Sequence, residues 1–128
     1  MIAVGDFGAV LRWVGLIPST TSPAVRRLVS TDALLNQFID FLKVRFDGRA
    51  GPVASGLAEI QIAVHEWYPT WPVAARVAEL ATTTGVGLDA VFLTPIALAA
   101  ERDMALVTTS PEMASIARDH VTTVLLLS

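Results

Sequence analysis

A chain of 128 residues has room for one domain built on a single core. Its hydrophobic share is 53% and its mean hydropathy +0.58, above the roughly 45–50% apolar content of an ordinary domain, which predicts apolar surface pressed against another chain. Zero cysteines exclude disulfides and thiolate metal sites, and a net charge of −3 argues against a basic protein that coats nucleic acid.

No run reaches the ~18 apolar residues that a membrane span needs; the best candidate, residues 86–100, is broken by Asp89, Thr94 and Pro95. The opening "MIAVGDFGAVLRWVGL" lacks a basic leader and carries Asp6 early, so it does not read as a signal peptide. A cytoplasmic protein that does not enter the membrane is the expectation. Charge is uneven along the chain. Residues 1–50 hold six Lys/Arg against four acids, and residues 51–128 hold three against eight. Either the surface has a mildly basic and an acidic pole, or these are ordinary solvated charges.

"MIAV" is a short apolar run stopped by Gly5-Asp6 and reads as a buried first strand. "FGAVLRWVGL" reads as a first helix, followed by the turn-rich "IPSTTSP". In "SPAVRRLV", Ser22 before Pro23 has the form of an N-cap and first helical residue. "STDALLNQFIDFLKVRF" is the clearest helix, with Leu34, Leu35, Phe38, Phe41 and Leu42 near helical spacing and Ser30 or Thr31 as its cap. "DGRAGP" breaks it. A weaker helix at "VASGLAEI", a strand in "QIAVHEW" and a turn at "YPTWP" follow. The chain then alternates: helix "PVAARVAELATTTG" ending at Gly85, helix 88–102, strand "MALVT", helix "PEMASIARDH" and strand "VTTVLLL". That last strand is nearly all apolar, as expected of one covered on both faces. Strands separated by helices predict a three-layer α/β/α sandwich around a largely parallel sheet, its first strand in the interior.

Ligands of open α/β sheets bind at the carboxyl ends of strands. Asp6 sits just past the first strand, where it either serves a site or caps the helix beginning at Phe7. Asp89 opens the helix 88–102, where the helix dipole stabilises a negative charge by typically 0.3–1 kcal/mol. It is either a cap or one arm of a site assembled from distant segments. Thr108 and Ser110 end the "MALVT" strand on the same edge, with plain loop chemistry before Pro111 as the alternative. His65 and His120 have no partner at metal-ligand spacing. Trp13, Trp67, Trp71 and Tyr68 are not interleaved with basic residues, which favours packing over base stacking. "GRAGPVASG" lacks the Gly-Lys-Ser/Thr ending of a phosphate loop.

Taken together, these segments resemble a PIN domain, the fold of many small metal-dependent ribonucleases and of the toxin half of VapBC toxin–antitoxin pairs. "MIAVGDFGAVL" is similar to that family's opening strand, Asp and short helix. "GVGLDAVFLTPIALAAERDMALVTTSPEMASIA" resembles its Asp-Ala helix followed by a strand ending in Thr-x-Asp, and "VTTVLLL" its closing strand. The resemblance implies a single PIN-like domain over residues 1–128 and a cluster of about four carboxylates at the carboxyl edge of the sheet. Asp6 matches the first acid and Asp89 the acid of the Asp-Ala helix. Gln37 falls where the family has a Glu, and Ser110 where it has the last Asp. Asp40, one helical turn or about 5.4 Å beyond Gln37, and Glu112 are the nearest substitute acids.

Mg²⁺ or Mn²⁺ is the implied cofactor, weakly held by Asp6 and Asp89, since Mg²⁺ is often bound by only one or two carboxylates plus waters. Gln37 and Thr108 would assist through hydrogen bonds, and Ser110 would mark a lost ligand. The implied activity is hydrolysis of RNA phosphodiester bonds by an endoribonuclease of the VapC type. Its implied partners are an RNA substrate, a small antitoxin and a second copy of the chain. The alternatives are a catalytically inactive PIN-like interaction module and an unrelated Rossmann-like fragment in which both aspartates are caps.

Overall fold

The computed structural model describes residues 2–18, 25–59, 64, 66–69, 73–84 and 90–127. Its elements run β1 (Ile2–Gly5), α1 (Phe7–Trp13), β2 (Arg27–Thr31), α2 (Asp32–Arg45), α3 (Ala50–Glu59) and β3 (Glu66–Tyr68), then α4 (Ala74–Thr84), α5 (Ala90–Arg102), β4 (Ala105–Thr108), α6 (Pro111–Ala117) and β5 (Val124–Leu126). The five strands form one sheet in the order β3-β2-β1-β4-β5, and every neighbouring pair is parallel. Parallel strands are joined by crossovers that lay helices on the sheet, so both faces are covered. One face packs Ala3, Leu28, Ala105 and Val107 against α1, α2 and α3. The other packs Val4, Val29 and Leu106 against α4, α5 and α6. The result is the expected three-layer α/β/α sandwich with β1 at its centre.

Burial explains why these short strands hold. Val4, Leu28, Val29, Leu106 and Val107 are each at most 1% exposed, and fully burying such a side chain contributes about 1.5–3 kcal/mol. Helix α2 meets the sheet through Leu34, Phe38 and Leu42, one residue per turn along a single stripe. Its cap is Thr31, whose hydroxyl accepts the Leu34 N–H at 3.4 Å. Gly15 ends α1 with φ +80°, a left-handed conformation that costs glycine nothing.

Three expectations need correction. The segment "SPAVRRLV" does not continue as a helix: Arg27–Thr31 is strand β2, with Leu28 to Thr31 buried. Its two polar residues conceal the strand, and their burial is possible because both hydroxyls find partners inside. Ser30 donates to the Gly5 carbonyl at 2.8 Å, and Thr31 meets Thr94 at 3.0 Å. The break at "DGRAGP" is shorter than expected, since α3 already begins at Ala50 and accommodates Pro52 in its first turn, where no helical N–H is needed. Strand β5 is apolar but lies at the sheet edge, with Leu126 45% exposed.

Candidate functional site

The helices following β1 and β4 leave the sheet on opposite faces. Helix α1 packs with one core cluster and α6 with the other. The carboxyl ends of β1 and β4 therefore border a crevice at the topological switch point, where open α/β sheets bind ligands. A cavity of about 350 Å³ opens there, lined by Asp6, Phe7, Leu34, Gln37, Val91, Phe92 and Met113.

Asp6 is only 5% exposed, and its two carboxylate oxygens have different tasks. Oδ1 accepts the Ala9 N–H at 2.8 Å and so caps α1. Oδ2 accepts the Thr108 hydroxyl at 2.6 Å and the Thr109 N–H at 3.4 Å. Thr108 is fully buried, and its oxygen also accepts the Ser110 N–H at 3.0 Å. Its single proton is thereby committed to Asp6. Asp6 thus caps α1 and at the same time lines the cavity. Burial raises the Asp6 carboxyl above its ordinary pKa of 3.8, against the pull of the Thr108 hydroxyl, the two backbone N–H groups and the nearby Arg12 charge.

Gln37 lies on α2 and reaches the same cavity from the helix side while remaining exposed. Ser110 caps α6, its hydroxyl accepting the Met113 N–H at 3.1 Å. It adjoins Thr108 but does not line the cavity's described wall. Asp40 and Glu112 are exposed and do not line it either. Asp89 and His65 fall outside the described residues, and His120 is exposed. Among the described residues, no three His, Asp or Glu side chains gather as a metal-binding group. Trp67 stacks on Phe38 at 6.3 Å, the packing role expected of it.

Two features escaped the sequence reading. Gly8 faces Thr109 so closely that a Cβ there would run into the threonine side chain. The hydroxyl pair Thr31–Thr94 joins the two helical walls of the cavity. A proline following a threonine inside an apolar helix was the available signal for the second.

No protein-family model and no curated protein matches the sequence. A solved structure does match the fold: "Crystal Structure of FitAcB from Neisseria gonorrhoeae" superposes with a TM-score of 0.64 at 16% identity, covering 98% of this chain and 96% of that one. The fold is PIN-like. At that identity the likeness concerns architecture, and the switch-point crevice at Asp6 belongs to that architecture. Among the described residues no helix is long and apolar enough to cross a membrane.

Proposed function

We propose that this chain is a divalent-metal-dependent endoribonuclease of the PIN, VapC-like type that hydrolyses RNA phosphodiester bonds. The observation that carries the reading is the buried Asp6 carboxylate at the switch point, bound to Thr108 across 102 residues of sequence. Burying a carboxylate is costly unless a cation or hydrogen bonds compensate it. Here three hydrogen bonds occupy three of its roughly four acceptor positions, leaving one on Oδ1. That donor set fits a single cation with water completing its shell, and it does not fit a second.

Asp6, with Asp89, the residue before Ala90 in sequence, would hold Mg²⁺ or Mn²⁺. Such an ion neutralises phosphate charge and acidifies a bound water. The chain's own contribution is orientation. Thr108 and the Thr109 N–H fix the plane of the Asp6 carboxylate, and the Ser110 N–H fixes the Thr108 hydroxyl in turn. Gln37 offers an uncharged amide at the cavity wall. Phe7 and Phe92 supply apolar walls that limit access of water. A small antitoxin and a second copy are the proposed protein partners, for which the exposed Ile2, Ile39, Val44 and Leu126 are available contacts.

A second reading, an inactive PIN-like interaction module, is favoured by Gln37 and Ser110 standing where carboxylates are expected. Assays of RNA cleavage with Mn²⁺ distinguish the two. Slow cleavage abolished by Asp6→Asn is the expected result. Gln37→Glu combined with Ser110→Asp should accelerate it, each alone less, because groups sharing one site are not additive. The change at 110 keeps the cap, since Asp caps helices about as well as Ser. A folded double variant that neither cleaves RNA nor gains stability from Mn²⁺ leaves the interaction module as the reading.

A further inference from the structure

Helix α5 contains Pro95 six residues into its length. Proline has no N–H, so residue 95 cannot donate to the carbonyl of Val91, the bond an uninterrupted helix would form. The Thr94 hydroxyl donates to that carbonyl instead, at 2.8 Å. A hydroxyl has one proton. Thr94 is therefore the acceptor in its 3.0 Å contact with Thr31, and Thr31 is the donor. The Thr31 oxygen in turn accepts the Leu34 N–H that it caps. A directed chain results, from the Leu34 N–H through both hydroxyls to the Val91 carbonyl. Thr31 is fully buried and Thr94 is 4% exposed, so water does not compete for these bonds.

The two ends of that chain are the two helical walls of the cavity. Leu34 and Gln37 line it from α2, and Val91 and Phe92 line it from α5. We propose that Thr94 is a positioning residue, which with Thr31 clamps the first turn of α5, just ahead of Pro95, to the start of α2 and so sets the spacing of the cavity walls. This turn directly follows Asp89 in sequence. The clamp's bearing on metal uptake rests on the reading proposed above, whereas the clamp itself does not.

The test is made on the full chain by NMR without metal, and by calorimetric titration with Mn²⁺. In the wild type the hydroxyl protons of Thr31 and Thr94 should be observable as slowly exchanging signals. Thr94→Val keeps the shape and removes the hydroxyl. The Val91 methyl and Phe92 ring signals should then move and broaden. Thr94→Ser keeps the hydroxyl and should leave them at their wild-type positions. For Mn²⁺, Thr94→Val should weaken binding, with Thr94→Ser restoring it. Wild-type hydroxyl signals that are absent, or Ser and Val variants that shift the cavity signals equally, overturn the clamp. If Thr94→Val does not fold, the wild-type hydroxyl signals and the Ser variant still decide. A wild type that takes up no Mn²⁺ removes the metal reading, and the metal-free spectra then judge the clamp alone.

Discussion

On the strand side of the cavity, Asp6 is held by three hydrogen bonds, from Ala9 in the first turn of α1, Thr108 at the end of β4 and Thr109 just after it. On the helix side, Gln37 is exposed, and the walls are tied together at depth through Thr31 and Thr94. One side is a buried charge whose position is fixed several times over. The other is a neutral, solvated group whose position is fixed indirectly. The difference teaches where this fold spends its polar interactions. It immobilises the carboxylate at the end of the parallel sheet and leaves Gln37 on the helix wall open to change.

Removing the charge on the strand side should have the largest effect. Asp6→Asn should abolish Mn²⁺ uptake in calorimetry. It should also change how stability depends on pH. Because the folded carboxyl titrates above its ordinary value of 3.8, its contribution is fully present below that pH and is lost as pH rises through the raised value. The stability of the wild type relative to Asp6→Asn, from urea midpoints, should therefore fall as pH rises from about 3.8 toward neutrality. Saturating Mn²⁺ should reverse that fall in the wild type alone, by binding only the folded state. A difference that stays flat with pH would mean that Asp6 is not ionising in a buried site.

Thr108→Val breaks the same side without touching the charge. It removes a hydrogen bond to a carboxylate, worth about 1.5–3 kcal/mol, and leaves the Ser110 N–H without its acceptor. The loss measured by urea should grow as pH rises, because the carboxyl then needs its donors most. Gly8→Ala should cost less, about 1–2 kcal/mol. The new Cβ must displace the stiff Thr109 side chain, offset partly by alanine's better helix propensity. Thermal unfolding reads the loss, and a weakened Thr109 contact to Asp6 should lower Mn²⁺ affinity with it. The smallest effect belongs to the helix side. Gln37→Ala should leave stability within about 0.5 kcal/mol, as exposed substitutions do. A loss comparable to that of Thr108→Val would erase the contrast between the two sides.

Much of this architecture was legible because period and burial agreed. The apolar run Ile2–Val4, the stripe Leu34, Phe38 and Leu42, and the alternation after residue 90 each point to one element type. Strand β2 was not legible, since Ser30 and Thr31 look like loop or cap residues until Gly5 and Thr94 are brought beside them in space. The edge position of β5 was hidden for a different reason: an apolar run reports burial but not which neighbours a strand has. At the site, Asp6, Thr108 and Ser110 could be placed together from their positions at strand ends. The bond from Thr108 to Asp6, the close approach of Gly8 to Thr109 and the Thr31–Thr94 contact could not, because each depends on a distance between segments about a hundred or about sixty residues apart.

Placing β1 between β2 and β4 has a temporal consequence. Its first neighbour is made within some two dozen residues, but its second arrives only with Ala105–Thr108. Contacts across such separations form late in folding and are made last during synthesis. Without β4 and the residue that follows it, Asp6 lacks the donors Thr108 and Thr109. A nascent or truncated chain ending before residue 105 carries the acid without the environment that orients it. The orientation of Asp6 thus depends on a segment about a hundred residues further along the chain.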